Sequence, residues 1–394
     1  MADVTPPARS RRLPAAVWLF GLTSLFTDIG SELIFPLLPG FLATLGGTTL
    51  VGLVEGFADA AAALLKLPAG TLSDRLPRRL PLVLVGYGLA GLVRPLMAFA
   101  TAPWHALAVR VTDRVGKGIR SAPRDALIAE VTPAGEEGRA FGVHRAMDHA
   151  GAVIGPLIAT ALVAAGLLVT EIFLVAAIPG LIAFVILFFV REPPRKRPTP
   201  TATAGVSSPL PGRLRSFIVA MTVFALAGST DAFLLIRAQE LGTDTALLPL
   251  LWALLNLVKL GSSWYFGALA DRVSRTALIG TGIALYAVAY GALGLAGSAA
   301  VAWAIILPYG TWSGLCEPAE KALVRTLAPA GAHGRAFGWY HGALGVAAIP
   351  AGLMTGLLWS EAGPRAALWT SAGIALVALG LLLAWSRADA RAAT

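Results

Sequence analysis

Apolar residues in this chain come in long runs, interrupted by short stretches of Gly, Pro and charge. Bounding the runs at those interruptions gives twelve candidate spans, at roughly 15–44, 50–70, 80–100, 104–128, 140–165, 169–190, 215–241, 246–268, 276–296, 300–324, 336–359 and 366–385. A helix needs about 20 apolar residues to cross the hydrocarbon core of a bilayer, and each run is close to that length. From Ala277 to Cys316 no charged residue occurs, which is room for two helices with a turn at Gly294 to Ser298. Spans one, four and five are the ambiguous ones, because they carry charges inside the run.

Composition agrees with a membrane protein and removes other classes. Of 394 residues, 56% are hydrophobic and 13% charged, and the mean hydropathy is +0.73. Gly and Pro are abundant but sit inside the apolar runs, as membrane helices tolerate. A dozen spans leave no room for a soluble catalytic domain, so neither enzyme activity nor a cofactor is expected. The single cysteine, Cys316, excludes an internal disulfide. A net charge of +9 invites a nucleic-acid reading, but the basic residues lie in clusters between spans, a pattern that sets membrane topology.

Those clusters alternate. Arg9, Arg11 and Arg12 precede span one, Arg75, Arg78 and Arg79 follow span two, and Arg139 lies between spans four and five. Arg191 through Arg215 fill the centre, and Arg272, Arg275, Arg335, Arg387 and Arg391 continue the series. The positive-inside rule then places both termini and the central loop in the cytoplasm, in a multi-pass protein of the cytoplasmic (inner) membrane. Asp28 and Glu32 interrupt the first run, so it reads as a retained helix rather than a signal peptide. The stretch rich in Pro, Ser and Thr before residue 213 reads as a linker, giving a six-helix bundle at 1–190, a cytoplasmic linker at 191–213 and a second bundle at 214–394.

The two bundles repeat each other in sequence. Gly70-Thr71-Leu72-Ser73-Asp74-Arg75 returns 197 positions later as Gly267-Ala268-Leu269-Ala270-Asp271-Arg272, and Pro133-Ala134-Gly135 with Gly138-Arg139-Ala140-Phe141-Gly142 returns 196 positions later at Pro329 to Gly338. Order and side are both kept, so the repeat is parallel, an arrangement of secondary transporters that puts the substrate site near midplane between the halves. The loop motif from Gly70 through Asp74 and Arg75 to Arg78 and Arg79, with Gly151, Gly155 and Pro156 in span five, resembles the signatures of the major facilitator superfamily. The run from Asp113 to Asp125 is similar to a bacterial and archaeal branch of it. The resemblance implies the twelve-helix fold, a small-molecule substrate, a monomer, and a conformational latch at Gly70, Asp74, Arg75, Arg78, Gly267, Asp271 and Arg272.

Charges at bilayer depth are costly and mark function or interhelical ion pairs. Asp28 lies roughly 20 Å along span one, past the midplane, with Glu32 one turn on; such a pair could carry a proton or be bonded to neighbouring helices. Asp59, on one face with Glu55 and Lys66, joins them as a coupling candidate. In span four, Arg110, Asp113, Arg114, Lys117, Ser121 and Arg124 form one stripe that must face the bundle interior or water. By resemblance Arg110 is the family's helix-four arginine, associated with proton transfer, and Asp113 is grouped with it. Arg94 is placed at headgroup level.

Span five supplies His144, Arg145, Asp148 and His149, which could relay protons, bind an anion or hold a metal; no ligand spacing supports the metal. The expected structural partner of Arg145 and Asp148 is span four. In the second half Asp231, Trp312, Glu317, Trp339 and His341 complete the candidate cavity. Gly151, Gly155 and Pro156 let helices approach closely and bend span five. By resemblance that motif favours proton-coupled export by antiport, with uptake by symport as the alternative.

Overall fold

The structure, a computed structural model, describes residues 12–35, 37–38, 41–42, 45, 48–194, 209–228, 231–244 and 247–392, with backbone alone at 48–60 and 389–392. The described residues form helices and no strands. The first half comprises α1 (Ala15–Ile34), α2 (Thr48–Arg75), α3 (Leu80–Phe99), α4 (Pro103–Val131), α5 (Glu137–Ala164) and α6 (Val169–Leu187). The second comprises α7 (Gly212–Ala227, with a further helical segment at Ala232–Glu240), α8 (Leu248–Leu269), α9 (Arg275–Leu295), α10 (Ala299–Leu327), α11 (333–362) and α12 (364–392). The last two run on as one helical stretch broken at Gly363, whose φ of 85° is a left-handed conformation that favours glycine.

Span positions follow the hydropathy pattern, with one difference. Helix α1 stops at Ile34, short of the 44 expected; Leu38, Phe41 and Leu42 are helical again and buried or half-buried. Among the described residues eight helical stretches are long and apolar enough to cross a membrane, the last of them covering α11 and α12 together. Helices α2, α4 and α8 are not in that set. Helices α4 and α8 carry buried charged and polar residues, among them Asp113, Arg120, Asn256 and Lys259, which lower their hydropathy. Leu92 (77% exposed) and Val288 (69%) are typical of the outward apolar surface, which suits acyl chains.

The sequence repeat becomes a structural one. Pro133 to Gly135 and Pro329 to Gly331 make the same turn, with Gly135 at φ 87° and Gly331 at φ 81°. Each turn delivers the chain into the N-terminus of a long helix, α5 or α11. Contacts between the halves run chiefly through α5 with α8 and α10, and through α2 and α4 with α11.

Candidate functional site

At the basic end of the bundle the repeats lock into each other reciprocally. Asp74, at the end of α2, accepts hydrogen bonds from the backbone N–H groups of Gly334 (2.8 Å) and Arg335 (2.6 Å) at the start of α11. Asp271, just past α8, accepts from Gly138 (2.7 Å) and Arg139 (2.8 Å) at the start of α5. A carboxylate is favoured there because a helix N-terminus leaves N–H groups without partners and carries partial positive charge. Burial pushes the Asp271 carboxyl up from its ordinary value, against the pull of the two donors. Glycines permit the approach: a Cβ on Gly138 or Gly142 would sit 2.6 Å from a carbonyl oxygen of α8, and one on Gly70 would strike the Gly334 carbonyl.

The cations of these locks differ from those expected. Arg75, Arg78 and Arg272 are exposed. Arg79 is fully buried and pairs with Asp74 at 2.5 Å and Glu130 at 2.8 Å. Its equivalent, 196 positions on, is Arg275, which pairs with Glu137 at 2.6 Å and Asp271 at 3.5 Å. Arg325 adds a bond to Glu137 at 2.6 Å.

Deeper in, polar bridges continue to join the halves. Asp125 of α4 meets Lys321 of α10 at 3.0 Å and His341 of α11 at 2.8 Å. Asp125 and Lys321 are themselves 196 positions apart, so equivalent residues of the two repeats face each other across the axis relating the halves. One layer further, Arg145 of α5 pairs with Glu317 of α10 and with Asp148 at 3.0 Å. The expected partner of Arg145 and Asp148, span four, is thereby corrected for Arg145: its external partner is in the other half. His144 shares a hydrogen bond with Ser24 of α1 (2.9 Å) and lies 3.8 Å from Asp148. His149 keeps Nε2 buried without a hydrogen bond among the described residues.

The charges of the first half converge on α4. Arg94 donates to Asp113 at 2.8 Å and to the Thr27 carbonyl at 2.7 Å, and it is buried rather than at headgroup level. Arg110 lies 3.5 Å from the same Asp113, and these three line a small cavity with Ser31, Ile34, Met97 and Val109. Asp113 is thus held by arginines, an ion-pair role. Arg124 bonds to Asp125 (3.0 Å) and Tyr87 (3.2 Å), while Arg120 lies over the Tyr87 ring at 4.0 Å.

Asp28 and Glu32 sit on the face of α1 against α5. A Cβ on Gly151 would lie 2.7 Å from Asp28 Cβ and from the Leu25 carbonyl, and one on Gly155 would lie 2.8 Å from Glu32 Cβ. The small-residue motif therefore seats α1, and both carboxylates are in that seam. Glu32 Oε2 is buried without a hydrogen bond among the described residues. Arg114 and Lys117 lie within electrostatic reach of it. The side chain of Asp59 lies outside the described residues.

In the second half Asp231 pairs with Lys259 of α8 and accepts from Tyr309 (3.1 Å). Trp312 packs edge-on against Phe224 and Tyr286, in an aromatic group that includes Tyr290 and Tyr309. Glu320 is buried against the Tyr340 hydroxyl at 2.5 Å. Trp339 is a correction: it is 46% exposed, beside the buried Tyr340, and does not join the interior group. Among the described residues no group of three or more His, Cys, Asp or Glu could hold a metal ion.

Comparison with known proteins agrees with this architecture. The sequence model of the Major Facilitator Superfamily matches residues 20–319 and 216–394. An uncharacterised MFS-type transporter of Methanocaldococcus jannaschii, MJ1317, is 31% identical over 384 residues, covering 95% of both chains. Multidrug resistance protein MdtG of Proteus mirabilis is 30% identical over 273 residues, 65% of this chain and 66% of that one. Among solved structures, the human organic anion transporter MFSD10 (TETRAN) superposes with a TM-score of 0.80 over 96% of this chain and all of that one, at 18% identity, a likeness of fold alone. With its paired six-helix halves, its reciprocal locks and a sequence match along nearly its whole length, the chain belongs to the major facilitator superfamily.

Proposed function

We propose that this protein is a secondary active transporter that carries a small molecule across the cytoplasmic membrane by alternating access, as a monomer with both termini in the cytoplasm. The moving bodies are residues 1–190 and 214–394, with 191–213 as the tether. The reciprocal seating of Asp74 and Asp271 on the helix N-termini of the opposite half carries this reading. These contacts close one end of the bundle with bonds that must all break together for that end to open, as a rocking exchange of access requires. Asp28 and Glu32 are the proton carriers, since they lie at bilayer depth in the helix seam and make no ion pair with the arginines that hold Asp113.

Export driven by inward proton flow is the first reading of direction, supported by the span-five motif and by the likeness to MdtG, a multidrug resistance protein by name. Uptake with protons is the second, since Asp28 and Glu32 would carry a proton equally well in symport. Purified protein in liposomes with an imposed pH gradient tests both. Gradient-driven accumulation of a solute on the alkaline side supports uptake, and expulsion toward the acidic side supports export. A solute flux indifferent to the gradient removes the proton from the proposal.

A further inference from the structure

One guanidinium is divided between the two halves. Arg145 of α5 donates from Nη1 to Asp148 on its own helix at 3.0 Å and from Nη2 to Glu317 of α10 at 3.0 Å. The planar fork of an arginine has donors enough for both carboxylates. The two lie in different bodies, however, so a pull toward Asp148 is a pull away from the second half.

Asp148, which is buried, stands beside the proposed proton carrier Asp28. Helices α1 and α5 lie against each other and run in the same direction. Ser24 shares a hydrogen bond with His144 at 2.9 Å, and further along a Cβ on Gly151 would lie 2.7 Å from Asp28 Cβ and one on Gly155 2.8 Å from Glu32 Cβ. Asp28 is one turn beyond Ser24, and Asp148 is one turn beyond His144. The seam therefore sets Asp28 level with Asp148, and Asp148 acts on Asp28 electrostatically. Other charges surround the pair. Glu32 is one turn further along α1, Arg94 of α3 and Lys117 and Arg120 of α4 also reach Asp28, and His144, Arg145, Arg124 and Lys321 reach Asp148. Within this group Arg145 makes a direct bond from the first half to Glu317.

We propose that Asp148 is a coupling residue, which transmits the charge on Asp28 to the bridge between the halves by drawing Arg145 away from Glu317. The inference rests on the reading of Asp28 as a proton carrier and adds the route from its proton to the moving bodies. With a proton on Asp28 the guanidinium is shared, and its bond to Glu317 helps hold the basic end closed. When that proton passes to water, a second negative charge stands beside Asp148. The two carboxylates together attract Arg145 into the first half, and the bond to Glu317 weakens. Proton release from Asp28 thereby favours the open form, and proton binding favours the closed form seen here.

The test reads the ratio of open to closed forms in the purified full chain, from spin labels at the exposed Arg78 and Ala330 in a Cys316→Ala background. A supporting carboxylate and a competing one have opposite signatures. Glu317→Gln should favour the open form, whereas Asp148→Asn, which leaves Arg145 to Glu317, should favour the closed form by roughly ten- to a hundred-fold, the equivalent of one hydrogen bond to a charged group. His341, on Asp125, also titrates between the halves, so variants are compared at each pH. As pH rises, Asp28→Asn should stay more closed than its parent. That effect should vanish in an Asp148→Asn background and persist in Asp148→Glu, a double-mutant cycle that measures the coupling. The infrared carbonyl band of protonated Asp28, identified by its loss in Asp28→Asn, should survive in Asp148→Asn, showing a proton still bound but no longer felt by the bridge. If Asp148→Asn does not fold, Glu317→Gln serves as the background, and there too Asp28→Asn should lose its effect. The inference is overturned if Asp148→Asn opens the basic end as Glu317→Gln does, if Asp28→Asn acts equally with and without Asp148 or Glu317, or if the Asp28 band disappears with Asp148. An Asp28→Asn variant that follows pH as its parent does removes the proton-carrier reading itself. An effect of Asp28→Asn that is undiminished by Asp148→Asn leaves that reading standing and removes Asp148 from the route.

Discussion

Replacing Asp74 by asparagine should open the basic end of the bundle. The carboxylate accepts two backbone N–H groups from the start of α11 and pairs with the buried Arg79. An asparagine keeps one acceptor oxygen and turns an amide N–H2 toward a donor, so at least one of these bonds is lost. A hydrogen bond to a charged group is worth about 1.5–3 kcal/mol, and the charge at the helix N-terminus adds about 0.3–1 kcal/mol. Together they give about 2–4 kcal/mol, or a change of roughly 30- to 900-fold in the ratio of closed to open forms. Arg79 retains Glu130, which keeps the guanidinium from being stranded. Spin labels at Arg78 and Ala330, both exposed, in a Cys316→Ala background would report the separation of α2 from the α11 turn. Asp74→Asn should populate a longer distance and slow transport with little change in substrate affinity. Asp271→Asn should act in the same direction through α8 and α5. An unchanged distance distribution in both variants, or weakened substrate binding with unchanged distances, refutes the latch.

Arg145→Glu should lose folding yield and flux, and the compensating reversal is Glu317→Arg, because the external partner of Arg145 is in α10; rescue of both by the double variant would assign the pair a structural role and take Arg145 out of the substrate site. Gly151→Ala should lower the unfolding midpoint by the equivalent of about 1–3 kcal/mol through a forced shift of α1, whereas Gly373→Ala, with nothing within 4 Å of its new Cβ, should be neutral or slightly stabilising. Neutralising Asp28 or Glu32 should abolish gradient-driven accumulation or expulsion while leaving exchange measurable in counterflow; if Asp28→Asn and Glu32→Gln both still move solute against its gradient, neither is the proton carrier.

The helices and the repeat were readable because each depends on local pattern. Apolar runs locate the spans, and the nearly equal offsets of Asp74 to Asp271 and of Gly138 to Gly334 predict that two equivalent locks form. Which arginine completes a lock was not readable. Arg75, Arg78 and Arg79 are chemically identical in sequence, and only the turn after α2 decides that Arg79 points inward. Arg94 misleads a count of depth for a related reason: the chain tightens into a 3-10 helix at Arg94–Phe99, and the guanidinium turns in to Asp113. Periodicity places Arg145 and Asp148 on one face of α5 but is silent on which neighbour that face meets, and α5 packs against the second half as well as against α1. Trp339 and Tyr340 are adjacent aromatics, and nothing in composition tells the exposed one from the buried one.

The facing of Asp125 and Lys321 constrains how such a protein can be built. In any pair of identical units related by a twofold axis, a residue that reaches the axis meets its own copy. Two aspartates there would repel, and so would two lysines. The contact seen at 3.0 Å is therefore available only to halves that carry different residues at that position. A first half expressed alone and dimerised would set Asp125 against Asp125, and a dimer of the second half would set Lys321 against Lys321. Two separately expressed halves could instead find each other by opposite charge at this point. The gene that joins them fixes that pairing one to one, and a single sequence serving both halves could not encode it.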